Sequence, residues 1–127
     1  MRFGGPALAL ALVAMVATPA MAAGGDMNVA TFLAKAEVLM AKGPFALLSK
    51  DVKVLRAEGE AASDVYFARL GRERAQGNPS SCPPRKPKEP SNREFLKHLR
   101  SYPPAARAVT KMHVAMGDWF IRTYPCK

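Results

Sequence analysis

The two cysteines of this 127-residue chain constrain its fold more than any other feature. Cys82 and Cys126 lie far apart in sequence, so they do not form the short pair that is typical of a zinc or redox motif. In an oxidising compartment two such thiols pair, and the disulfide would stabilise the fold by about 3–4.5 kcal/mol. It would also pin the proline-rich segment around Cys82. Whether the disulfide forms depends on the compartment, and the first residues of the chain indicate which compartment that is.

Residues 1–22 have the pattern of a cleavable export signal. A positive start is followed by an apolar, alanine-rich run over residues 7–17 and by a small-x-small cleavage site at residues 20–22. A membrane anchor is the competing interpretation, but the run is short for a span and a proline flanks it on each side. We therefore predict cleavage after Ala22, a periplasmic or otherwise exported mature domain over residues 23–127, and no stable membrane insertion after cleavage.

The mature chain would be strongly basic. Cleavage removes one arginine, so 18 of the 19 Lys and Arg residues remain against 10 Asp and Glu, and the formal net charge falls from +9 to +8. Such a balance favours contact with anionic surfaces. An exported protein rarely meets nucleic acid, so we expect no nucleic-acid partner. An acidic protein, anionic lipid or cell-wall polymer, or plain solubility, would each account for the charge.

The spacing of apolar residues predicts helices along the mature chain, because these residues recur every three or four positions. A first helix covers residues 29–39, a short apolar turn follows at residues 44–48, and a longer helix then runs towards residue 77. Gly59 and Ala62 are small and share one face of the long helix, so they would admit another helix at close range. The residues that would cap or stop these helices are Asp26 or Asn28, Gly43-Pro44, Ser49 or Asp51, and Gly77-Asn78-Pro79.

The last third begins with a loop and continues with two more helices. Residues 78–90 hold five of the eleven prolines, which supply no amide donor and disfavour helix. Ser91 and Glu94 form a capping box for the third helix, and Pro104 can start the fourth. We expect the fourth helix to bury Val109, Met116 and Phe120 against Phe32, Leu55 and Leu99. No stretch shows sustained strand alternation, so we predict an all-α, single-domain bundle of about four helices with one disulfide.

The sequence carries no catalytic signature: it has no zinc-binding helix motif, no nucleophile elbow and no phosphate loop. We predict that His113 is a core or boundary residue on the apolar stripe of the last helix, because a metal site needs several ligands. His98 is predicted to lie on the surface and to interact with Glu94, one turn before it. A solvated helix face is predicted for the acidic cluster Glu58, Glu60 and Asp64. We therefore expect a non-enzymatic protein with no cofactor and no metal.

Short motifs in the last third resemble one known family. They are Ser81-Cys82-Pro83-Pro84, the segment EFLKHLRSYP at residues 94–103, Ala115-Met116, and Tyr124-Pro125-Cys126-Lys127. Over residues 80–127 the chain resembles the Rap/Tai family of resistance-associated proteins and type VI amidase immunity proteins. The resemblance implies a small helical periplasmic protein that binds and blocks a peptidoglycan-cleaving amidase effector of a type VI secretion system, in some members as a homodimer.

The residues that the resemblance carries over are the disulfide pair Cys82 and Cys126 and the turn residues Pro83, Pro103 and Pro125. Many members have another cysteine just before a Gly-Tyr pair in an earlier helix, whereas residues 61–66 of this chain contain the tyrosine but no cysteine. Our leading interpretation is a Rap/Tai-like helical domain over residues 23–127. The alternative is a helical cell-envelope protein on the same scaffold that neutralises no toxin.

A partner-binding surface is predicted on and beside the proline-rich loop. The loop is stiffened by proline and pinned by Cys82, so presenting it costs little ordering entropy. Its charge is positive except for Glu89, which suits an acidic partner. Solvation of the loop is the competing interpretation of these cations. The residues predicted to contact a protein partner are Arg85, Lys86, Lys88, Arg93 and Lys97.

Overall fold

The computed structural model describes residues 24–127 of the chain. The predicted signal peptide, residues 1–22, its cleavage after Ala22 and the mature start at Ala23 lie outside the described residues. The regular secondary structure of the described residues is helical, with no strand among them, and one disulfide joins Cys82 and Cys126. This confirms the predicted fold class, a small all-α domain with one disulfide. None of the helices in this part of the chain is long and apolar enough to span a membrane.

Five α-helices and one 3₁₀ helix form the described part. The 3₁₀ helix, Gly43–Leu48, is the short apolar segment of the sequence, and we call it the apolar turn. The α-helices are α1 (Val29–Ala41), α2 (Lys50–Ala75), α3 (Asn92–Arg100), α4 (Pro104–Arg107) and α5 (Met112–Thr123). The predicted bundle of about four helices corresponds to α1, α2, α3 and α5, which the apolar turn, a loop and the short α4 connect.

Side-chain caps start three of the helices at positions that the sequence predicts. The side chain of Asn28 accepts a hydrogen bond of 2.8 Å from a backbone N–H in the first turn of α1. Ser49, rather than Asp51, caps α2. The capping box of α3 is confirmed, since Ser91 accepts from the Glu94 N–H and Glu94 accepts from the Ser91 N–H. These bonds satisfy amides that have no partner within the helix.

The core between α2 and α5 is largely aromatic. Phe120 is fully buried, stacks on Tyr66 with ring centroids 5.6 Å apart, and meets Phe67 edge to face at 4.9 Å. Trp119 meets Phe120 edge to face at 5.0 Å. Aromatic pairs at such distances contribute about 0.5–1.5 kcal/mol beyond their burial. The other core residues that the sequence predicts and the structure buries are Met116, Phe32, Leu55 and Leu99.

A glycine lets α5 approach α2 closely. A Cβ atom at Gly117 would lie 2.7 Å from Cδ2 of Tyr66, closer than packed atoms approach. The small residues predicted to admit another helix behave differently. Nothing among the described residues lies within 4 Å of a Cβ built at Gly59, so the prediction is wrong there. Ala62 is buried, as a close contact requires, but the element that approaches it is not a helix. It is the turn at Gly25, where an added Cβ would lie 3.1 Å from the Cα of Ala62.

The predicted fourth helix is broken in two, and Val109 lies in the break. The segment after Val109 pairs with the chain around the start of α1 instead of continuing the helix. The N–H of Val29 donates to the carbonyl of Thr110 at 2.9 Å, and the N–H of Met112 donates to the carbonyl of Met27 at 2.8 Å. This pairing leaves Val109 81% exposed, so its predicted burial is wrong.

The acidic cluster of α2 divides between solvent and core. Glu60 and Asp64 are exposed, as predicted. Glu58 is buried, and its carboxylate accepts a hydrogen bond of 2.9 Å from the N–H of Met27. The predicted solvated face is therefore wrong for Glu58, because this side chain supplies the acceptor for a backbone amide ahead of α1.

Candidate functional site

The proline-rich loop, residues 78–90, is fastened to the C-terminal end of the chain. The disulfide between Cys82 and Cys126 confirms the predicted pair, and the two Cα atoms are 4.9 Å apart. The N–H of Cys82 also donates to the carbonyl oxygen of Tyr124 at 2.8 Å. These two links hold the first half of the loop against the segment that follows α5.

The hydroxyl of Tyr124 holds the second half of the loop. It accepts a hydrogen bond from the N–H of Lys88 at 3.0 Å and donates one to the carbonyl of Lys88 at 3.1 Å. One side chain thereby satisfies both backbone groups of a residue that belongs to no helix. Beside it, the hydroxyl of Ser63 on α2 donates to a carboxylate oxygen of Glu89 at 3.5 Å. The loop is therefore anchored at several points before α3 begins.

Two residues of α2 hold the first residues of the loop. The hydroxyl of Tyr66 is hydrogen-bonded to those of Ser80 and Ser81, and the carboxylate of Glu73 accepts from the N–H of Ser80 at 3.1 Å. Hydrogen bonds from the Ser80 hydroxyl and from Arg69 lower the pKa of Glu73 to about 2, so it stays ionised at neutral pH. The sequence analysis missed both anchors, because contacts between a helix and a loop leave no periodic signal.

All five cations predicted to contact a partner are exposed, and within residues 24–127 none of them forms an ion pair. Arg85, Lys86 and Lys88 lie on the loop. Arg93 and Lys97 lie on α3 and border two different depressions, a large groove and a smaller pocket. The structure thus keeps the three loop cations in one anchored stretch, and the two helical cations lie one turn apart on α3.

The groove lies between α1, α2 and α3 and has a volume of about 800 Å³. Its floor is apolar and includes Phe32, Leu55 and Phe95. Charged residues of both signs form its rim: Arg56, Glu60, Asp64, Glu89, Arg93 and Arg100. The three loop cations do not line it, although the last residues of the loop, Glu89 and Pro90, do, so the groove is a second candidate surface that adjoins the loop.

His98 is buried, and its prediction as a surface residue is wrong. Only 5% of it is exposed, and its Nε2 lies 2.8 Å from the carbonyl oxygen of Ala115 and 3.3 Å from the hydroxyl of Tyr102. A bond to a carbonyl requires a proton on Nε2, which leaves Nδ1 of the neutral ring without a partner among the described residues. Burial lowers the pKa of His98. The neutral ring therefore ties α3 to α5.

His113 lies at the boundary of the core, as predicted. Its Nε2 is 3.6 Å from a carboxylate oxygen of Asp26, in the turn ahead of α1. In the part of the chain that the structure describes, no three His, Cys, Asp or Glu side chains converge as ligands of a metal ion would. The two imidazoles serve instead as links between segments.

No family model, curated protein or solved structure matches the chain. The resemblance to the Rap/Tai family therefore stays a prediction, carried by short motifs between residues 80 and 127. The feature of the structure that bears on function is the loop of residues 78–90, which the disulfide and the Tyr124 hydroxyl hold in place.

Proposed function

We propose that this protein is a non-enzymatic periplasmic binding protein that acts as type VI secretion immunity proteins do, by binding and blocking a peptidoglycan-cleaving amidase. The observation that carries the proposal is the proline-rich loop, which bears three exposed cations and is clamped by a disulfide and by the Tyr124 hydroxyl. The mechanism is steric: the loop enters the cleft of the enzyme and excludes the cell-wall substrate.

Anchoring of the loop lowers the entropic cost of such binding. Fixing the backbone of one flexible residue costs about 1–2 kcal/mol, and the loop backbone is already held at Cys82 and Lys88. Arg85 and Lys86 are exposed and carry their charge to the surface without an ion-pair partner among residues 24–127. Opposite charge on the amidase would speed the encounter and set the orientation of binding.

The test is calorimetric titration of the protein into secreted peptidoglycan amidases, together with inhibition of cell-wall cleavage. The variant Arg85→Ser/Lys86→Ser/Lys88→Ser should bind about tenfold or more weakly and with a flatter salt dependence, because it loses the steering charges. Its thermal unfolding should match that of the parent protein, since all three side chains are exposed.

A charge-matched control keeps the test specific. The variant Lys42→Ser/Lys50→Ser/Lys53→Ser removes three exposed lysines from around the apolar turn and should inhibit the amidase as well as the parent does. Equal weakening by both variants would mean that net charge, and not the loop, governs binding. Failure of the parent protein to bind or inhibit any of the amidases would count against the immunity-like function itself.

A helical cell-envelope protein that neutralises no toxin is the alternative, and the groove favours it. The groove has an apolar floor and a rim of mixed charge, which suit a bound segment of another envelope protein. The cationic loop, by contrast, would require an acidic cleft on its partner. Gly59 lines the groove, and nothing among the described residues lies within 4 Å of a Cβ built there, so Gly59→Leu should obstruct part of the groove without disturbing the core. Loss of partner binding in Gly59→Leu, with binding retained in the loop variant, would transfer the function to the groove.

A further inference from the structure

Three large apolar side chains stand exposed in the apolar turn between α1 and α2. Phe45 is 72% exposed, Leu47 80% and Leu48 84%. Single exposed apolar residues are ordinary on a protein surface, whereas a contiguous group marks a site of interaction. The core of residues 24–127 does not cover these three side chains, so an explanation has to come from what they contact outside the described residues.

The turn is ordered despite this exposure. Gly43, with a φ of 57°, takes the left-handed conformation that ends α1. The N–H of Phe45 then donates to the carbonyl of Lys42 at 3.3 Å. The N–H of Ser49 donates to the carbonyl of Ala46 at 2.9 Å. A fixed backbone thus presents the apolar side chains, and docking does not first require the turn to fold.

Lysines border the turn on both sides. Lys42 precedes it, Lys50 and Lys53 follow it, and all three are exposed with no ion-pair partner among the described residues. The acid nearest in sequence to Lys50 and Lys53 is Asp51, which is paired with Lys35 on α1 at 3.7 Å. The turn is therefore an apolar tip with a positive border.

We propose that the apolar turn docks on an anionic lipid surface, independently of any amidase partner. The side chains of Phe45, Leu47 and Leu48 enter the boundary between headgroups and acyl chains, where aromatic and aliphatic groups partition favourably. The bordering lysines lie at the headgroup level, where each one strengthens binding by about fivefold. The contact is peripheral and reversible, because three side chains give far less attachment than a spanning helix.

Charge and area favour lipid over a second copy of the chain. Two copies that met through the turn would bring the same lysines together, and this repulsion opposes association. A stable protein contact also buries about 800 Å² on each partner. Three side chains supply less than that, since even a large aromatic residue buries only about 150–250 Å². A layer of anionic headgroups needs no matching protein surface and supplies the opposite charge.

The test places a fluorescent reporter in the turn of the full chain. Phe45→Trp introduces a second tryptophan, since the parent chain has only the buried Trp119. Val109→Trp, at another exposed apolar position, is the matched control. Both variants have the same N-terminus, so a difference between them comes from the substituted position. With vesicles of phosphatidylcholine and phosphatidylglycerol, the emission of Phe45→Trp should shift to shorter wavelength and be quenched by brominated acyl chains. The emission of Val109→Trp should not change.

Two further variants separate the apolar and charged contributions. Phe45→Ser/Leu47→Ser/Leu48→Ser should partition to anionic vesicles about tenfold or more weakly, with unchanged helical circular dichroism because these side chains lie outside the core. Lys42→Gln/Lys50→Gln/Lys53→Gln should bind roughly a hundredfold more weakly at low salt, the product of three fivefold steps. Added salt should weaken the parent protein more than this variant.

Any of four results would overturn the proposal. The first two are equal quenching of the two tryptophan variants and equal partitioning of the serine variant and the parent. The third is an emission shift of Phe45→Trp that appears without lipid and grows with protein concentration, which would assign the turn to a second copy of the chain. The fourth is equal binding to neutral and anionic vesicles, which would remove the role given to the lysines.

Discussion

Alanine substitutions at two helical glycines, Gly117 in α5 and Gly59 in α2, should affect stability very differently. Each one removes a glycine from a helix, so each gains about 1 kcal/mol of helix propensity. What the new methyl group meets is different. At Gly59 the described residues leave open space within 4 Å, whereas at Gly117 the Cβ would lie 2.7 Å from Cδ2 and 3.0 Å from Cε2 of Tyr66. Gly59→Ala therefore keeps its gain, and Gly117→Ala must first make room.

The ring of Tyr66 cannot retreat without further loss. Its hydroxyl is hydrogen-bonded to Ser80 and Ser81, and its face stacks on Phe120. Relief of the clash requires α5 to move away from α2, or the ring to leave these partners. Overpacking of this kind costs about 1–3 kcal/mol. Because both variants share the propensity gain, the difference between their unfolding free energies isolates the overpacking and should be about 1–3 kcal/mol, with Gly59→Ala the more stable.

Urea unfolding followed by helical circular dichroism measures this difference. The m-values should equal that of the parent protein, since neither substitution changes the surface exposed on unfolding. Gly71→Ala, at a second position of α2 with open space within 4 Å among the described residues, is a control for the propensity gain and should match Gly59→Ala. A Gly117→Ala variant as stable as these two would refute the close packing of α5 against Tyr66.

Three further changes test other parts of the fold. Cys82→Ser/Cys126→Ser opens a loop of 44 residues and should cost about 4 kcal/mol by loop entropy; a loss below about 1 kcal/mol in urea would contradict this. Phe120→Ala should cost about 3–5 kcal/mol because the ring is fully buried, and a midpoint near that of the parent would argue against its place in the core. Burial holds the pKa of His98 below its usual 6.5, so the unfolded chain takes up this proton first as the pH falls. The stability that depends on neutral His98 should be complete above about pH 6.5 and should decline below it, by at most about 1.4 kcal/mol per pH unit. If the same decline persists in His98→Gln, another group causes the decline.

Features set by neighbouring residues could be predicted from the sequence, whereas features set by distant contacts could not. The capping box of α3 depends on two side chains three positions apart, and it forms as expected. The exposure of Val109 depends on pairing between its segment and the chain ahead of α1. The burial of His98 depends on a carbonyl of α5. Helical spacing places a residue on a face, but it does not say which element covers that face.

The same limit applies to the candidate surfaces. Exposure of the five cations could be predicted, because charged side chains in and beside a proline-rich loop are rarely buried without an ion-pair partner. The clamp by Tyr124 could not, since it joins residues at opposite ends of the last third. An apolar turn before α2 could be predicted, but the exposure of Phe45 and Leu48 could not, because apolar composition alone would place them in the core.

The pairing of Asn28 with Lys111 joins the start of α1 to the segment just ahead of α5, far along the sequence. The Val29 N–H and the Met27 carbonyl find their partners only in residues 110–112. Contacts of such long sequence separation form late, because closing the intervening chain costs entropy that local contacts do not offset. A chain that emerges N-terminus first, from a ribosome or a translocation channel, leaves these two backbone groups without their protein partners until residues 110–112 have followed. We therefore expect the start of α1 to become fixed only when the segment ahead of α5 docks against it.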